Sequence, residues 1–375
     1  MVNLLEVLGV EIGPRRKGTP EASRAAEAVA AAFGELGLDA RFQEFPFVGY
    51  EVEEPELELD GGPVAAGPCE YAQSTGPEGV TGALRPYGSL PGLVPGDSSL
   101  IWSIEDDAGR VLALVYENPV VASGGAIPFL SFYGPLVTGP SCFVVRGHPA
   151  LRDGVRARLR SGGSFVHGLT ERNVLATLPG ESDEAVVVCA HYDSVWRGPG
   201  VIDNATGVEA VRRVAERLVG RTHPRTVVFA AWAAEEIGLV GSRWFVQDAK
   251  HRGEIDRYVG VVNLDCVAHG EKLMLMAAPP ALLDRATSEA KRLGLDARYE
   301  LQTVVPGGGT DHVPFVEAKV PGMSILHFPY PEYHLPTETL ALVNEQKLED
   351  SVELAVALVE SQLAEPVARI SSRWG

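Results

Sequence analysis

Two kinds of hydrophobic pattern follow one another along the chain. From Thr19 to Leu38 the apolar positions Ala25, Ala28, Val29, Ala32, Phe33 and Leu36 recur at helical spacing, and Gly37 supplies a stop signal, which predicts an amphipathic helix. Ala40 to Phe47 then alternates, with Phe42 and Phe45 set among Arg41, Gln43 and Glu44, as a half-buried strand does. Between about residues 49 and 167 glycine and proline separate short apolar runs such as Ser99–Ser103, Val111–Tyr116 and Cys142–Val145, so strand-dominated structure is expected there. From Asn173 onward the rhythm changes again. Val186–Ala190, Thr226–Trp232, Tyr258–Leu264, Lys272–Met276 and Gly322–Phe328 read as strands. Gly207–Leu218, Pro280–Leu293 and Glu345–Leu363 read as helices, with a further apolar segment at Leu239–Val246. Alternation of this kind predicts an α/β sheet sandwiched by helices, with ligands beyond the carboxyl ends of the strands. The expected organisation is one domain made of residues 1–48 and 168–375, interrupted by a mostly β inserted domain, 49–167.

Composition narrows the function classes. The chain has 375 residues, 45% of them hydrophobic, a length at which a single core usually gives way to two units. Its 32 Lys+Arg against 50 Asp+Glu give a net charge of −18, which argues against nucleic acid or an anionic membrane as partner, because both need a basic stripe. Cys69, Cys142, Cys189 and Cys266 form no CxxC pair, so neither a disulfide framework nor a thiolate zinc site is indicated, and a reducing compartment is the simpler reading. The N-terminal stretch has no basic region ahead of its short apolar run, so a cytoplasmic location is expected. No run of about 18 apolar residues exists, which excludes a membrane-spanning helix.

The candidate chemistry sits where the apolar strands stop. Val186–Ala190 ends in His191-Tyr192-Asp193, and alternation puts His191 and Asp193 on one face, where a carboxylate can orient a metal-binding imidazole. Asp203 lies in a turn that feeds a helix and, taken alone, is a helix cap. Glu235 and Glu236 follow a buried strand and have apolar flanks, where unpaired charge is costly. Adjacent side chains diverge, so one can bind a metal while the other acts as a base toward bound water. Asp265 follows a third strand and His334 a fourth; His327 reads as a packed strand residue, and His269 is undecided between pocket and surface. His191, Asp203, Glu236, Asp265 and His334 supply enough N and O donors for two zinc sites with Asp203 between them.

Taken in order, AHYDSV (Ala190–Val195), DNATG (Asp203–Gly207), AAEEIGLVGS (Ala233–Ser242), NLDC (Asn263–Cys266), TDH (Thr310–His312) and YHLPTET (Tyr333–Thr339) resemble the motifs of the co-catalytic dizinc aminopeptidases. That family includes bacterial leucyl aminopeptidases, glutamate carboxypeptidases and the non-catalytic transferrin receptor ectodomain. The resemblance spans about residues 173 to 345. It implies a mixed, mostly parallel sheet of about eight strands carrying two Zn2+, with Co2+ or Mn2+ as substitutes. His191 and Asp265 would sit on one ion, Glu236 and His334 on the other, and Asp203 would bridge them. Asp193 would orient His191. Glu235 would be the general base that takes a proton from the bridging water and passes it to the leaving amine, and Tyr333 matches a tyrosine that in some relatives stabilises the oxyanion. The implied substrate is a peptide, cleaved at its amino end.

Departures from the family pattern bear on this reading. Where members commonly read YHTPxDT, this chain has Leu335 and Glu338, and Thr310 replaces a serine ahead of Asp311 and His312. Asp311, His312 and Glu338 are expected to line the substrate pocket or to back the ligands. Gly307–Gly309 reads as a pocket loop, because no Walker pattern surrounds it. The insertion lies where several relatives carry a protease-associated domain, which would restrict the cleft to short peptides. A carboxypeptidase or dipeptidase, and a non-catalytic peptide-binding module, are the competing readings. Side-chain preference and a homo-oligomer are left open.

Overall fold

Thr19 starts the first long helix: its hydroxyl accepts the N–H of Ala22 at 3.2 Å, and Pro20 takes the first helical position, where no N–H is needed. This helix, α1 (Pro20–Glu35), buries Ala22, Ala25, Ala26, Val29, Ala32 and Phe33, close to the face its spacing predicts. The computed structural model describes residues 3–91, 98–118, 139–195, 197–304 and 309–364. Gly307 and Gly308 of the expected pocket loop lie outside these.

Four strands, β9 (Ala185–His191), β10 (Thr226–Trp232), β11 (Tyr258–Leu264) and β14 (Gly322–Phe328), are buried along their whole length. Parallel strands covered on both faces have no solvent side to mark, hence the unbroken apolar runs. Their side chains still alternate between two cores. Val186, Val188 and Ala190 of β9, with Val227, Phe229 and Ala231 of β10, meet α1 together with α2 (Thr206–Leu218), α4 (Pro280–Arg292) and α6 (Glu345–Ala364). Ala185, Val187, Cys189, Val228, Ala230 and Trp232 point the other way, toward Phe245 and Val246 of α3 (Val240–His251) and Phe315 of α5 (Val313–Glu317).

The sheet is larger than expected and differently paired. β1 (Ala40–Leu59) and β8 (Arg156–Leu178) run antiparallel to one another over almost their full lengths, continuing past the predicted end at Phe47. Beyond them lie β2 (Gly62–Val64), β3 (Gly67–Pro68), β4 (Val80–Pro91), β5 (Ser98–Glu105), β6 (Val111–Asn118) and β7 (Ser141–Val145). With β12 (Lys272–Ala278) and β13 (Glu300–Val304) they form, among the described residues, one sheet of 14 strands, ordered β13-β12-β14-β11-β9-β10-β8-β4-β5-β6-β7-β3, with β1 paired to β8 and β2 to β1. Antiparallel pairings outnumber parallel ones among the described residues. The expectation of about eight mostly parallel strands is corrected accordingly. Its cause is β8, whose C-terminal end pairs with β10 and whose N-terminal end pairs with β4, so a single strand carries the sheet from one region into the next.

A separate apolar cluster, including Leu57, Leu84, Ile104, Val115, Cys142, Val144 and Leu159, fills the outer part of the sheet. Residues 1–48 and the segment after 49 are tied by a buried ion pair between Lys17 and Glu70. No helix among the described residues is long and apolar enough to cross a membrane.

Candidate metal centre

The carboxyl ends of β9, β10, β11 and β14 meet over one cleft. His191 is the last residue of β9; Glu235 and Glu236 follow β10, Asp265 follows β11, His334 follows β14, and Asp203 precedes α2. All six are buried. The turns that deliver them are tight: Ala234, Cys266 and His334 have φ values of 53°, 51° and 62°, a left-handed conformation that non-glycine residues adopt at a cost. Gly200 (φ 57°) precedes Asp203 in a space that only glycine fits, because a Cβ there would stand 2.5 Å from the Asp203 carbonyl oxygen and 2.6 Å from Ser194 Cβ.

Asp203 is the centre of the arrangement. Its Oδ1 lies 3.0 Å from His191 Nε2 and its Oδ2 3.0 Å from His334 Nε2, so each carboxylate oxygen faces a different imidazole. His191 Nε2 is also 3.6 Å from Asp265 Oδ1 and 3.9 Å from Glu235 Oε2, while His334 Nε2 is 3.2 Å from Glu236 Oε2. Donor atoms of His191, Asp203 and Glu236, and of His191, Glu235 and Asp265, gather within 4.8 Å of one another, as they must to share a cation.

The neighbouring residues hold these donors in place. Asp193 receives the backbone N–H of Glu235 at 3.0 Å and of Glu236 at 3.4 Å, so its carboxylate fixes the acidic pair, while its own carbonyl faces His191 Nδ1 at 3.2 Å. Asn173 of β8 accepts the N–H of Ala233 at 3.1 Å and donates to the Gly241 carbonyl at 2.9 Å, bracketing the same turn. Asn204 accepts from Gly207 and Cys266 and donates to the Leu264 carbonyl, joining the Asp203 turn to the Asp265 turn. Glu338 lies behind Asp203, and Asp311 accepts a hydrogen bond from Ser242. His312 Nδ1 is 2.7 Å from the Thr310 hydroxyl. Tyr333 stacks on His334 with ring centroids 3.8 Å apart.

Crowding and burial shift the proton affinities of the cluster: the neighbouring carboxylates raise those of His191 and His334 against the effect of burial. Burial, reinforced by Asp311, Glu236 and Asp265 and opposed by His191, pushes Glu235 well above the usual carboxylate range; burial and Asp203 push Glu236 up to about 7 against the pull of His334. Burial also acts on Asp203, but hydrogen bonds to His191 and His334 outweigh it and hold that carboxyl low. Glu236 Oε1 is buried without a hydrogen-bond partner, which leaves an oxygen lone pair free for a ligand. Buried carboxylates crowded around two imidazoles form a donor set of the N/O type that zinc takes.

The cleft, about 620 Å³ of open space, is lined by His191, Asp203, Glu235, Glu236 and Asp265 on one side. Cys266, Met274, Met276, Leu326, Phe328 and Tyr333 make an apolar side, and Gly309 and Thr310 complete the wall. Met274, Met276, Leu326 and Phe328 were not singled out from the sequence, since Lys272–Ala278 and Gly322–Phe328 are largely apolar strands in which no residue is marked as facing a cavity. From the TDH segment it is Thr310 that reaches the wall, while Asp311 and His312 lie fully buried.

Residues 173–359 match the model of Peptidase family M28. The chain belongs to that family. The M28 match contains all the ligand candidates and leaves out the segment from 49 to 167. This M28 chain is 30% identical to the probable lipoprotein aminopeptidase LpqL of Mycobacterium tuberculosis over 81% of its own length and 63% of that protein. It is 29% identical to the aminopeptidase YwaD of Bacillus subtilis over 47% of its own length and 40% of that protein. The chain therefore spans less than two thirds of these curated relatives. The solved structure of BSAP, a zinc aminopeptidase from Bacillus subtilis, shares the fold, with a TM-score of 0.74 over 97% of this chain and 95% of that one at 23% identity.

Proposed function

We propose that the protein is a two-zinc aminopeptidase that removes amino-terminal residues with bulky apolar side chains from short peptides. The observation that carries the proposal is the pair of 3.0 Å approaches from the two oxygens of Asp203 to His191 and His334, the arrangement of a carboxylate shared between two cations. His191, Asp265 and Asp203 would hold one ion, and His334, Glu236 and Asp203 the other. Bound there, zinc supplies Lewis acidity that polarises a scissile carbonyl and lowers the pKa of water toward neutrality.

The remaining chemistry belongs to the chain. Glu235 has a raised proton affinity from burial and from its acidic neighbours, which suits a group that takes a proton from attacking water and returns it to the departing nitrogen. Asp193 keeps that carboxylate aimed by holding its backbone. Tyr333 lines the cleft beside His334, in a position to donate to a developing oxyanion. Met274, Met276, Leu326 and Phe328 offer an apolar side chain a dry surface.

End specificity follows from charge. Among the described residues no Arg or Lys lines the cleft, whereas acidic groups do, which favours a free amino end over a carboxylate and weighs against the carboxypeptidase reading. The limit to short peptides rests on the inserted segment, residues 49–167. Leu335, next to His334, packs with Cys69, Ala72, Ile101, Tyr116 and Phe143 of that segment, which supports a role for it as a wall beside the cleft.

The test is mass spectrometry of a peptide pool with free and acetylated amino ends after incubation with zinc-loaded protein. Stepwise loss from free amino ends alone supports the proposal, with leucine, methionine and phenylalanine removed fastest. Loss from carboxyl ends, or no cleavage by protein that holds two zinc ions, overturns it.

A further inference from the structure

Arg15 is completely buried, which is rare for an arginine without compensating partners. Its guanidinium is surrounded by main-chain carbonyls. Nε donates to Tyr192, Nη1 to Pro199 at 2.6 Å and more distantly to Leu8 and Gly13 at 3.3 and 3.4 Å, and Nη2 to Gly200 at 2.7 Å. Its backbone N–H also reaches Ser194 Oγ at 3.1 Å, and that hydroxyl donates to the Gly198 carbonyl at 2.9 Å. Apart from Leu8 and Gly13, these acceptors fall in two short stretches of chain. One follows His191 and contains Asp193; the other leads directly into Asp203.

A planar guanidinium fixes several acceptors at once, which a lysine ammonium cannot do with the same geometry. Burial lowers the Arg15 pKa to about 10, against the opposing pull of Asp193, Glu338, Asp203 and Glu236, so the charge persists at neutral pH. The chain thus keeps a permanent cation behind its acidic cluster and uses it to tie the N-terminal segment to both ligand-bearing loops.

We propose that Arg15 is a positioning residue for the metal centre, clamping Tyr192, Ser194, Pro199 and Gly200 so that His191 and Asp203 are set at their separation before any cation arrives. This rests on the reading of those residues as zinc ligands. Outer partners of metal ligands typically contribute about 10- to 100-fold in metal affinity. Arg15→Lys isolates the effect, because it keeps the positive charge and removes the fork.

Zinc stoichiometry and affinity of the full chain, measured by competition with a chromophoric chelator, and thermal unfolding of the metal-free form provide the test. We expect wild-type protein to bind two ions and folded R15K to bind zinc about 10- to 100-fold more weakly. Wild-type protein without zinc affinity overturns the ligand assignment itself. Tight zinc binding by both proteins, even with R15K less stable, overturns the role of Arg15 alone. Where R15K does not fold, Ser194→Ala decides: it loosens the same loop without touching the guanidinium, and weaker zinc binding supports the clamp while unchanged binding overturns it.

Discussion

Glu338 Oε1 accepts the backbone N–H of Asp203 at 2.8 Å, so the loop carrying His334 also grips the residue whose carboxylate faces that imidazole. The same oxygen takes the N–H of Ile202, and Oε2 accepts from the Tyr330 hydroxyl at 3.1 Å. Glu338→Ala strands two buried N–H groups, at about 1–3 kcal/mol each. Denaturant unfolding should show a loss of that order together with weaker zinc binding, whereas Glu338→Gln, which retains an acceptor oxygen, should lose distinctly less. Equal losses in the two variants would rule out the hydrogen bonds as the cause.

Glu235→Gln leaves every ligand candidate in place and removes the proton acceptor. Zinc content should remain at the wild-type level while kcat falls by about 100- to 10,000-fold or more. A variant with near-normal turnover in single-turnover kinetics would remove Glu235 from the base role.

Chelation should abolish turnover and reduce stability, because only the folded chain brings the donor atoms together, so zinc binding favours it over the unfolded state. Zinc at about 1,000 times its Kd stabilises a folded protein that alone binds it by about 4 kcal/mol. Thermal melts with and without zinc after dialysis against chelator measure this; coincident melts would argue that the cluster holds no ion.

His327 allows a pH prediction away from the metal ligands. Its ring is buried with neither nitrogen hydrogen-bonded, and burial, helped by Lys347, lowers its pKa to about 3. In the unfolded chain the group titrates near about 6.5. Between these values the unfolded state binds the extra proton, so stability is lost as pH falls from about 6.5 and regained as it rises. Metal-free wild-type protein should therefore lose up to about 1.4 kcal/mol per pH unit more than His327→Leu across that window. Parallel pH profiles from urea titrations would contradict it.

Much of this was legible in the order of residues. Val186–Ala190 falls inside β9, Tyr258–Leu264 coincides with β11, and the helix expected from Thr19 starts at Pro20 after a threonine cap. Strand ends carry the polar residues, so an apolar run that stops at a histidine or carboxylate marks the rim of the cleft. The length of β1 was not legible, since Pro46, Gly49 and Pro55 interrupt its alternation; β8 supplies partners for Pro46 and Gly49 from far along the chain, and Pro55 falls at a shift in register. Gly162, Gly163 and Gly168 hide β8 in the same way. Arg15 gave no signal either: within Arg15-Arg16-Lys17 it looks like a solvated basic patch, and only the folded chain shows that Lys17 pairs with Glu70 while Arg15 is enclosed by carbonyls.

β1 and β8 belong at once to the M28 sheet and to the strands beyond it. Residues 49–167 are therefore no bead on a tether: the ladder that pairs Gly49 with Val166 and Glu53 with Gly162 is continuous with the one that pairs Gln43 with Asn173. Because Asn173 brackets the turn of Glu235 and Glu236, the backbone that carries the outer strands is the same backbone that holds the acidic pair.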